Sequence, residues 1–184
     1  GSYLLDQAKA IQSNSNYKLT VIILSSIFNN SQENYSIEGV RCITFKLLDF
    51  PSFILPGVFH SINLFKFKAF LKNKRLNLNN ESIIHGHINY PSLNFLDFFS
   101  KQFKCKTVLQ HHGLDVLQTQ TGIRIPFLKR IQNKIILKRF NSLSLNVTTH
   151  IAVSSVVKGE LIKIQPGLKN HIYACVNGVD TTKF

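Results

Sequence analysis

Residues 82–113 have the sequence SIIHGHINYPSLNFLDFFSKQFKCKTVLQHHG, and this stretch decides the fold. Residues 82–88 and 107–110 are short, mainly apolar runs, which are typical of strands buried in a parallel sheet. Between them Leu96, Phe99 and Phe103 recur at helical spacing, and Ser92 is positioned to cap that helix. A strand, a helix and a second strand predict a right-handed βαβ unit, and therefore a parallel sheet covered by helices.

The rest of the chain continues the same alternation. The unbroken apolar run LTVIIL at residues 19–24 predicts a strand buried on both faces of the sheet. Shorter runs of this kind lie at residues 40–45, 150–153 and 171–176, and helical patterns lie at residues 3–12, 61–78 and from Pro126 to about Phe140. We therefore predict a doubly wound, Rossmann-like α/β domain with a parallel sheet and helices on both faces.

The length and composition of the chain predict that residues 1–184 form a single domain. Apolar residues make up 44% of the chain and charged residues 17%, against about 25% charged in typical soluble domains, which argues against disorder. A doubly wound domain usually begins with a strand, whereas this sequence opens with a helical pattern. Either the first strand precedes this sequence or the fold is permuted, and we favour the first alternative.

The formal net charge of +13 predicts anionic partners, and the candidates are nucleic acid, phosphorylated substrates and acidic lipid surfaces. No run approaches 18 apolar residues, so the sequence predicts no membrane-spanning helix. Cys42, Cys105 and Cys175 are odd in number and widely spaced. This pattern is typical of reduced thiols and favours a cytoplasmic location.

Polar residues follow several of the predicted strands. HGH at residues 85–87, HHG at 111–113, SS at 154–155 and NG at 177–178 each stand at a strand end. Because the carboxyl ends of parallel strands converge on the ligand crevice of such folds, these turns form the candidate site. A glycine beside each pair of histidines is expected to let the backbone approach a ligand.

Taken in order, IIHGHINYPS, TVLQHHGLDV, HIAVSS and IYACVNGVDTTKF resemble the amino-terminal half of a GT-B glycosyltransferase. More narrowly, they resemble the retaining, family-4-like group that builds bacterial polysaccharides and lipid-linked glycans, and YLLDQAKAI resembles the first helix of that domain. The most specific match is residues 177–184, which in such enzymes lie at the junction with the second domain. The resemblance implies an enzyme that transfers a sugar from a nucleotide-diphosphate donor to a glycan or lipid-linked acceptor, with no cofactor.

The resemblance also implies roles for single residues. His112 matches the histidine that reaches the reaction centre, so it is the expected catalytic residue, and His87 matches a histidine that lines the acceptor side. Gly113 and Asp115 belong to the same HHGLD turn and are expected to bind substrate. For Asp115 the alternative is a local cap of the turn.

At the other strand ends, Ser154 is expected to close the crevice, and Asn177 and Gly178 to shape the loop beneath the nucleotide sugar. For Ser154 we favour the alternative, which is capping of the next helix. Two family features are missing from this sequence, namely the glycine loop after the first strand and the second domain, which binds the donor. We therefore expect this chain alone to be inactive.

Other chemistries compete with this interpretation. His85, His87, His111 and His112 have spacing that suits zinc, but no cysteine joins them, and we predict no metal. The sequence contains no GxGxxG, P-loop or GxSxG motif. A non-catalytic binding module on the same scaffold remains an alternative, and a metal-dependent hydrolase is the less favoured one.

Two predicted helices are basic and amphipathic. One carries Arg130, Lys134 and Lys138 at i, i+4 and i+8, and the other carries Lys68, Lys72 and Arg75 among apolar residues that include Phe67 and Leu71. Such helices are typical of membrane surfaces, with a solvated outer face as the alternative. We predict peripheral binding to the anionic inner face of the membrane, with Phe67 and Leu71 or their neighbours inserting. No nucleic-acid-binding motif is recognisable, so nucleic acid is not an expected partner.

Overall fold

The computed structural model of the protein describes residues 2–50, 55–114 and 125–176. Helices and strands alternate along this part of the chain, with short 3₁₀ turns at Ser144–Asn146 and Pro166–Asn170. The elements are α1 (Ser2–Asn14), β1 (Thr20–Ser26), β2 (Asn34–Ile37), β3 (Val40–Leu47), α2 (His60–Asn73), β4 (Ile83–His87), α3 (Ser92–Phe103), β5 (Lys106–His111), α4 (Pro126–Leu143), β6 (Thr149–Ala152), α5 (Ser155–Ile164) and β7 (Ile172–Ala174).

Strands β4 to β7 form an all-parallel sheet in the order β4-β5-β6-β7. The helices α3, α4 and α5 connect these strands in turn, as parallel pairing requires. Leu109 of β5, Ala152 of β6 and Phe140 of α4 are fully buried between the sheet and its helices. The prediction of an α/β chain with a parallel sheet flanked by helices is therefore confirmed.

The first three strands form a second sheet in the order β1-β3-β2, in which β2 is antiparallel to β3. The sequence analysis missed β2, because a strand of four mostly exposed residues gives little hydrophobic pattern. A two-residue turn joins it to β3, and both Glu38 and Gly39 have positive φ, at 49° and 84°. Positive φ at both turn residues is the geometry of the tight hairpins that right-handed strand twist favours.

Strand β1 differs from its prediction. It pairs with β3 and lies at the edge of its sheet in the described part of the chain, and all of its residues are half-buried. An edge strand has a neighbouring strand on one side only, so its side chains keep contact with solvent. The expectation that residues 19–24 are buried on both faces is therefore wrong, and the described strands form two sheets rather than one.

A phenylalanine-rich core nevertheless joins the two sheets. Phe45 of β3 packs edge-to-face against Phe67 of α2 at 4.9 Å between ring centroids, and Phe95 of α3 lies 4.6 Å from Phe67. Ile84 of β4 packs against the same cluster. Burying each such ring contributes about 1.5–3 kcal/mol, and well-oriented aromatic pairs add roughly 0.5–1.5 kcal/mol, so this cluster supplies much of the cohesion between the sheets.

Helix ends deviate from the predictions at two places. Pro91, rather than Ser92, is the N-cap residue of α3, and the Ser92 hydroxyl instead donates to the His87 carbonyl oxygen at 2.7 Å. Helix α2 ends at Asn73 instead of near residue 78, because Arg75 takes a left-handed conformation with φ 53°. The start of α4 at Pro126 agrees with the prediction.

The described helices include none that combines the length and apolar character needed to cross a membrane.

Cys42 and Cys105 are buried free thiols, and Cys175 is an exposed free thiol.

Candidate functional site

The end of β4 presents its two histidines on one face of the sheet. Gly86 between them faces α3, since a Cβ atom there would lie only 2.9 Å from Cδ1 of Leu96. Strand alternation therefore directs His85 and His87 to the opposite face, where their rings stack at 4.5 Å between centroids. The expectation that Gly86 lets the backbone approach a ligand is wrong, because its missing side chain makes room for a helix.

His112 joins this pair from the end of β5. Its Nε2 atom lies 3.0 Å from Nδ1 of His87, and the two rings are nearly parallel at 5.3 Å between centroids. His87 is half-buried and His112 is exposed. The structure thus brings together His85, His87 and His112, which we call the histidine cluster, at the carboxyl edge of the parallel sheet.

Burial keeps His85 and His87 of the histidine cluster uncharged at neutral pH. Burial, together with the neighbouring rings of His85 and His112, lowers the pKa of His87 from 6.5 to about 4. Burial also lowers the pKa of His85, with a smaller contribution from His112, while a hydrogen bond with Gln110 opposes that shift. Neutral imidazoles exchange hydrogen bonds with uncharged polar groups and do not attract phosphate by charge.

The hydrogen bond between His87 and His112 links the tautomers of the two rings. If His112 Nε2 donates, then Nδ1 of His112 is an acceptor and Nε2 of His87 is a donor. If His87 Nδ1 donates instead, these two outer nitrogens exchange roles. In either tautomer one ring of the pair donates to the other, and imidazole nitrogens of this kind can exchange hydrogen bonds with hydroxyl groups.

Two glutamines support the histidine cluster, and the sequence analysis missed both. Nε2 of Gln7 on α1 donates to Oε1 of Gln110 on β5 at 3.2 Å, and the Gln110 side chain is hydrogen-bonded to His85. Gln110 lies beside His87 in the sheet register and is buried. A polar residue at the end of the apolar run TVLQ was an available signal for Gln110, whereas nothing in the sequence of α1 marks Gln7.

His111 does not belong to the histidine cluster. It is fully buried, and its Nε2 atom lies 3.0 Å from Nδ1 of His150, whose Nε2 atom bonds the Ser144 carbonyl oxygen at 2.9 Å. Because that carbonyl can only accept, His150 donates through Nε2, and its neutral Nδ1 accepts from His111. The four strand-end histidines of the sequence therefore divide into three at the site and one in the core.

A second polar cluster lies beside the first and joins the ends of β3 and β4. The Tyr90 hydroxyl donates to the carboxylate of buried Asp49, and the Gly57 N–H donates to the Tyr90 oxygen at 2.8 Å. Burial raises the pKa of Asp49, although its hydrogen bonds and Arg139 oppose the shift, and burial together with Asp49 raises the pKa of Tyr90. Arg139 donates to the Gly57 carbonyl oxygen at 3.0 Å, so this cluster fixes the loop before α2.

Ile88, directly after His87, has a strained backbone. Its φ is 67°, in the left-handed region that a β-branched side chain disfavours at a cost of about 1–3 kcal/mol. Its N–H donates to the Gln110 carbonyl oxygen at 3.2 Å, and Ser92 holds the His87 carbonyl oxygen. Both bonds hold the peptide group that joins His87 to Ile88, directly before the strained residue.

The remaining predicted site residues have mixed outcomes. Gly113 follows His112, and a Cβ atom there would meet no atom within 4 Å, so no close contact requires a glycine. The Ser154 hydroxyl accepts from the Val157 N–H at 3.1 Å and caps α5, which is the capping alternative for this residue. Asp115, Asn177 and Gly178 lie outside the described residues.

The predicted basic side chains all lie at the surface. Lys68 and Lys72 on α2 are exposed, as is Arg75 beyond its end, and Arg130, Lys134 and Lys138 are exposed on α4. Phe67 and Leu71, however, are only 1% and 3% exposed. These two belong to the phenylalanine-rich core, so the expectation that they insert into a membrane is wrong.

In the described ranges, no group of three or more His, Cys, Asp or Glu side chains is placed to hold a metal ion.

No protein-family model matches the chain, and no curated protein matches it significantly.

Proposed function

We propose that this chain is the amino-terminal, acceptor-side half of a GT-B glycosyltransferase. The intact enzyme transfers a sugar from a nucleotide-diphosphate donor to a glycan or lipid-linked acceptor during polysaccharide biosynthesis for the cell envelope. The family-4-like motifs in the sequence and the parallel sheet of the fold support this proposal. The resemblance also implies that the transfer retains the anomeric configuration of the sugar.

One observation carries the proposal, namely the hydrogen-bonded pair of His87 and His112 at the carboxyl edge of the parallel sheet, in which burial keeps His87 neutral. Ligands of open α/β sheets bind at that edge. A sugar is a set of hydroxyl groups, each able to donate and to accept, and imidazole side chains can likewise donate and accept hydrogen bonds. An uncharged site also suits an acceptor hydroxyl better than a phosphate.

In this proposal His112 touches the donor sugar or the attacking hydroxyl and is the catalytic residue, while His87 lines the acceptor side. Gly113, Asp115, Asn177 and Gly178 remain predicted contacts of the substrates, whereas Ser154 caps α5. A second domain binds the nucleotide, and the departing diphosphate is stabilised by charges outside the histidine cluster.

We further propose that the enzyme works at the inner face of the membrane, where lipid-linked acceptors are found. The net charge of +13 and the exposed lysines and arginines of α2 and α4 support this location. Attraction to anionic lipid contributes about 1 kcal/mol for each Lys or Arg close to the surface.

The test is His112→Ala in the intact enzyme. If His112 acts mainly in the transition state, kcat/KM should fall by roughly 10²-fold, equivalent to about 2.7 kcal/mol, with little change in thermal stability. His171→Ala is the matched control, because His171 is an exposed histidine just before β7, at the opposite edge of the sheet. Normal turnover by His112→Ala would remove the catalytic assignment. Release of nucleotide from UDP-, GDP- or ADP-sugars by this chain alone would refute its role as half of a site.

A further inference from the structure

Helix α2 carries a row of apolar side chains on its solvent side. Val58 just before the helix, and Ile62 and Phe65 within it, follow one another at i, i+4 and i+7 and are 57%, 50% and 79% exposed. Ala69 continues the row one turn further and is also exposed. We call Val58, Ile62, Phe65 and Ala69 the outer apolar row.

The outer apolar row cannot turn into the core, because the opposite face of α2 is locked. Asn63 is buried, its Oδ1 accepts from the Leu48 N–H at 2.9 Å, and its Nδ2 donates to the Leu48 carbonyl oxygen at 2.8 Å. Phe67 and Leu71 on that face are in the phenylalanine-rich core. Rotating the helix would break both hydrogen bonds and expose Phe67, so Phe65 remains outside.

Cations surround the outer apolar row. At about 100° per residue, Lys66 and Lys68 flank it on opposite sides, each roughly a quarter-turn away, and Lys72 lies at its carboxyl end. All three lysines are exposed, and the sequence has no acidic residue between Asp49 and Glu81. An apolar stripe bordered by lysines matches a lipid surface, which has acyl chains below and phosphates at the level of the charges.

Helix α4 has a similar arrangement at its start. Phe127 at the start of α4 is 68% exposed and precedes Arg130 and Lys134 on one side of the helix. Helix α3 contacts both α2 and α4, and Arg139 of α4 donates to the carbonyl oxygen of Gly57, the residue before Val58. Charge and exposed aromatic groups are therefore presented together on two neighbouring parts of the fold.

We propose that the outer apolar row inserts into the headgroup region of an anionic membrane, while Lys66, Lys68 and Lys72 contact lipid phosphates. This inference rests on the proposed peripheral location and adds which side chains enter the lipid. Phe65 is the deepest anchor, since it is the most exposed member of the row. Binding therefore has a salt-sensitive part from the lysines and a salt-resistant part from Phe65, Ile62 and Val58.

The first experiment measures binding to phosphatidylglycerol vesicles by co-sedimentation, with phosphatidylcholine vesicles as the neutral control. Phe65→Ser should weaken binding to the anionic vesicles about tenfold and remove the binding that survives high salt. Phe28→Ser is the matched control, because Phe28 is 65% exposed in the turn after β1, and its binding should equal that of the unmodified chain.

The second experiment reports the position of the side chain directly. The chain contains no tryptophan, so Phe65→Trp and Phe28→Trp each introduce a single fluorophore. Trp at position 65 should shift its emission to the blue and be quenched by brominated lipid, whereas Trp at position 28 should do neither.

The outcomes separate the two proposals. If the chain binds anionic vesicles but Trp at position 65 stays in water and Phe65→Ser binds normally, insertion is refuted and peripheral binding stands. If the chain binds neither lipid at low salt, both proposals are refuted.

Discussion

The buried pair of His111 and His150 should make the fold sensitive to acid. His150 is fully enclosed, donates to the Ser144 carbonyl oxygen and accepts from His111, so it has no solvent to stabilise a positive charge. Burial lowers the pKa of His150 from 6.5 to about 4, and the nearby His111 and His171 contribute to the shift while the bond to Ser144 opposes it.

The sign and size of the effect of pH on stability follow from the two pKa values of His150, which are 6.5 in the unfolded chain and about 4 in the folded chain. Below pH 6.5 the unfolded chain takes up a proton at His150, whereas the folded chain does so only near pH 4. Since the unfolded state binds more protons in this window, stability falls as the pH falls. Between pH 7 and pH 5, a shift from 6.5 to about 4 lowers the free energy of unfolding by about 2 kcal/mol through His150 alone.

The assay is urea unfolding at pH 7 and at pH 5 for the unmodified chain and for His150→Gln. Glutamine can still donate to Ser144 but does not titrate, so the variant should be less stable at pH 7 yet lose about 2 kcal/mol less between the two pH values. Phe140→Leu is the matched control, since Phe140 packs edge-on against both rings at 6.0 and 6.4 Å between centroids. The free energy of unfolding of Phe140→Leu should be lower than that of the unmodified chain by about 1 kcal/mol at both pH values. An unchanged pH dependence in His150→Gln would refute the reasoning.

Two further predictions concern the backbone around the histidine cluster. Gly86→Ala should lower the free energy of unfolding by about 1–3 kcal/mol in urea titration, because its Cβ would lie 2.9 Å from Cδ1 of Leu96. The control is Gly159→Ala in α5, where a Cβ atom would meet no atom within 4 Å, and this change should raise the free energy of unfolding by about 0.5–1 kcal/mol. An equal decrease in the free energy of unfolding in both variants would contradict the argument. Ile88→Asn should stabilise the chain by about 1 kcal/mol, because asparagine tolerates the φ of 67° better than isoleucine. The control is Ile83→Asn, because Ile83 is similarly exposed at 47% but lies within β4, and this change should destabilise the chain. A lower free energy of unfolding in both variants would show that Ile88 is not strained.

The sequence predicted the parallel sheet because its strands are short apolar runs separated by helices with clear spacing. It could not predict which of two adjacent histidines would be buried, since His111 and His112 are alike in sequence and differ only in what lies on each side of β5. It also could not predict Gln7, Asp49 or Tyr90, because their contacts join residues far apart in the chain. The run at residues 19–24 was misjudged for a related reason, as composition does not reveal whether a strand has one neighbour or two.

The neutrality of His85 and His87 has a consequence for a chain that carries +13 charges. His87 is a base held neutral by burial, so the cluster contributes hydrogen bonds and not attraction for anions. The lysines and arginines exposed on α2 and α4 therefore supply the long-range attraction, which salt screens over roughly 10 Å at 0.1 M. Anion or membrane binding should thus weaken with salt, whereas recognition of a hydroxyl by His87 and His112 should not. In the proposed enzyme this separates the step that brings the protein to its acceptor from the step that orients the acceptor for reaction.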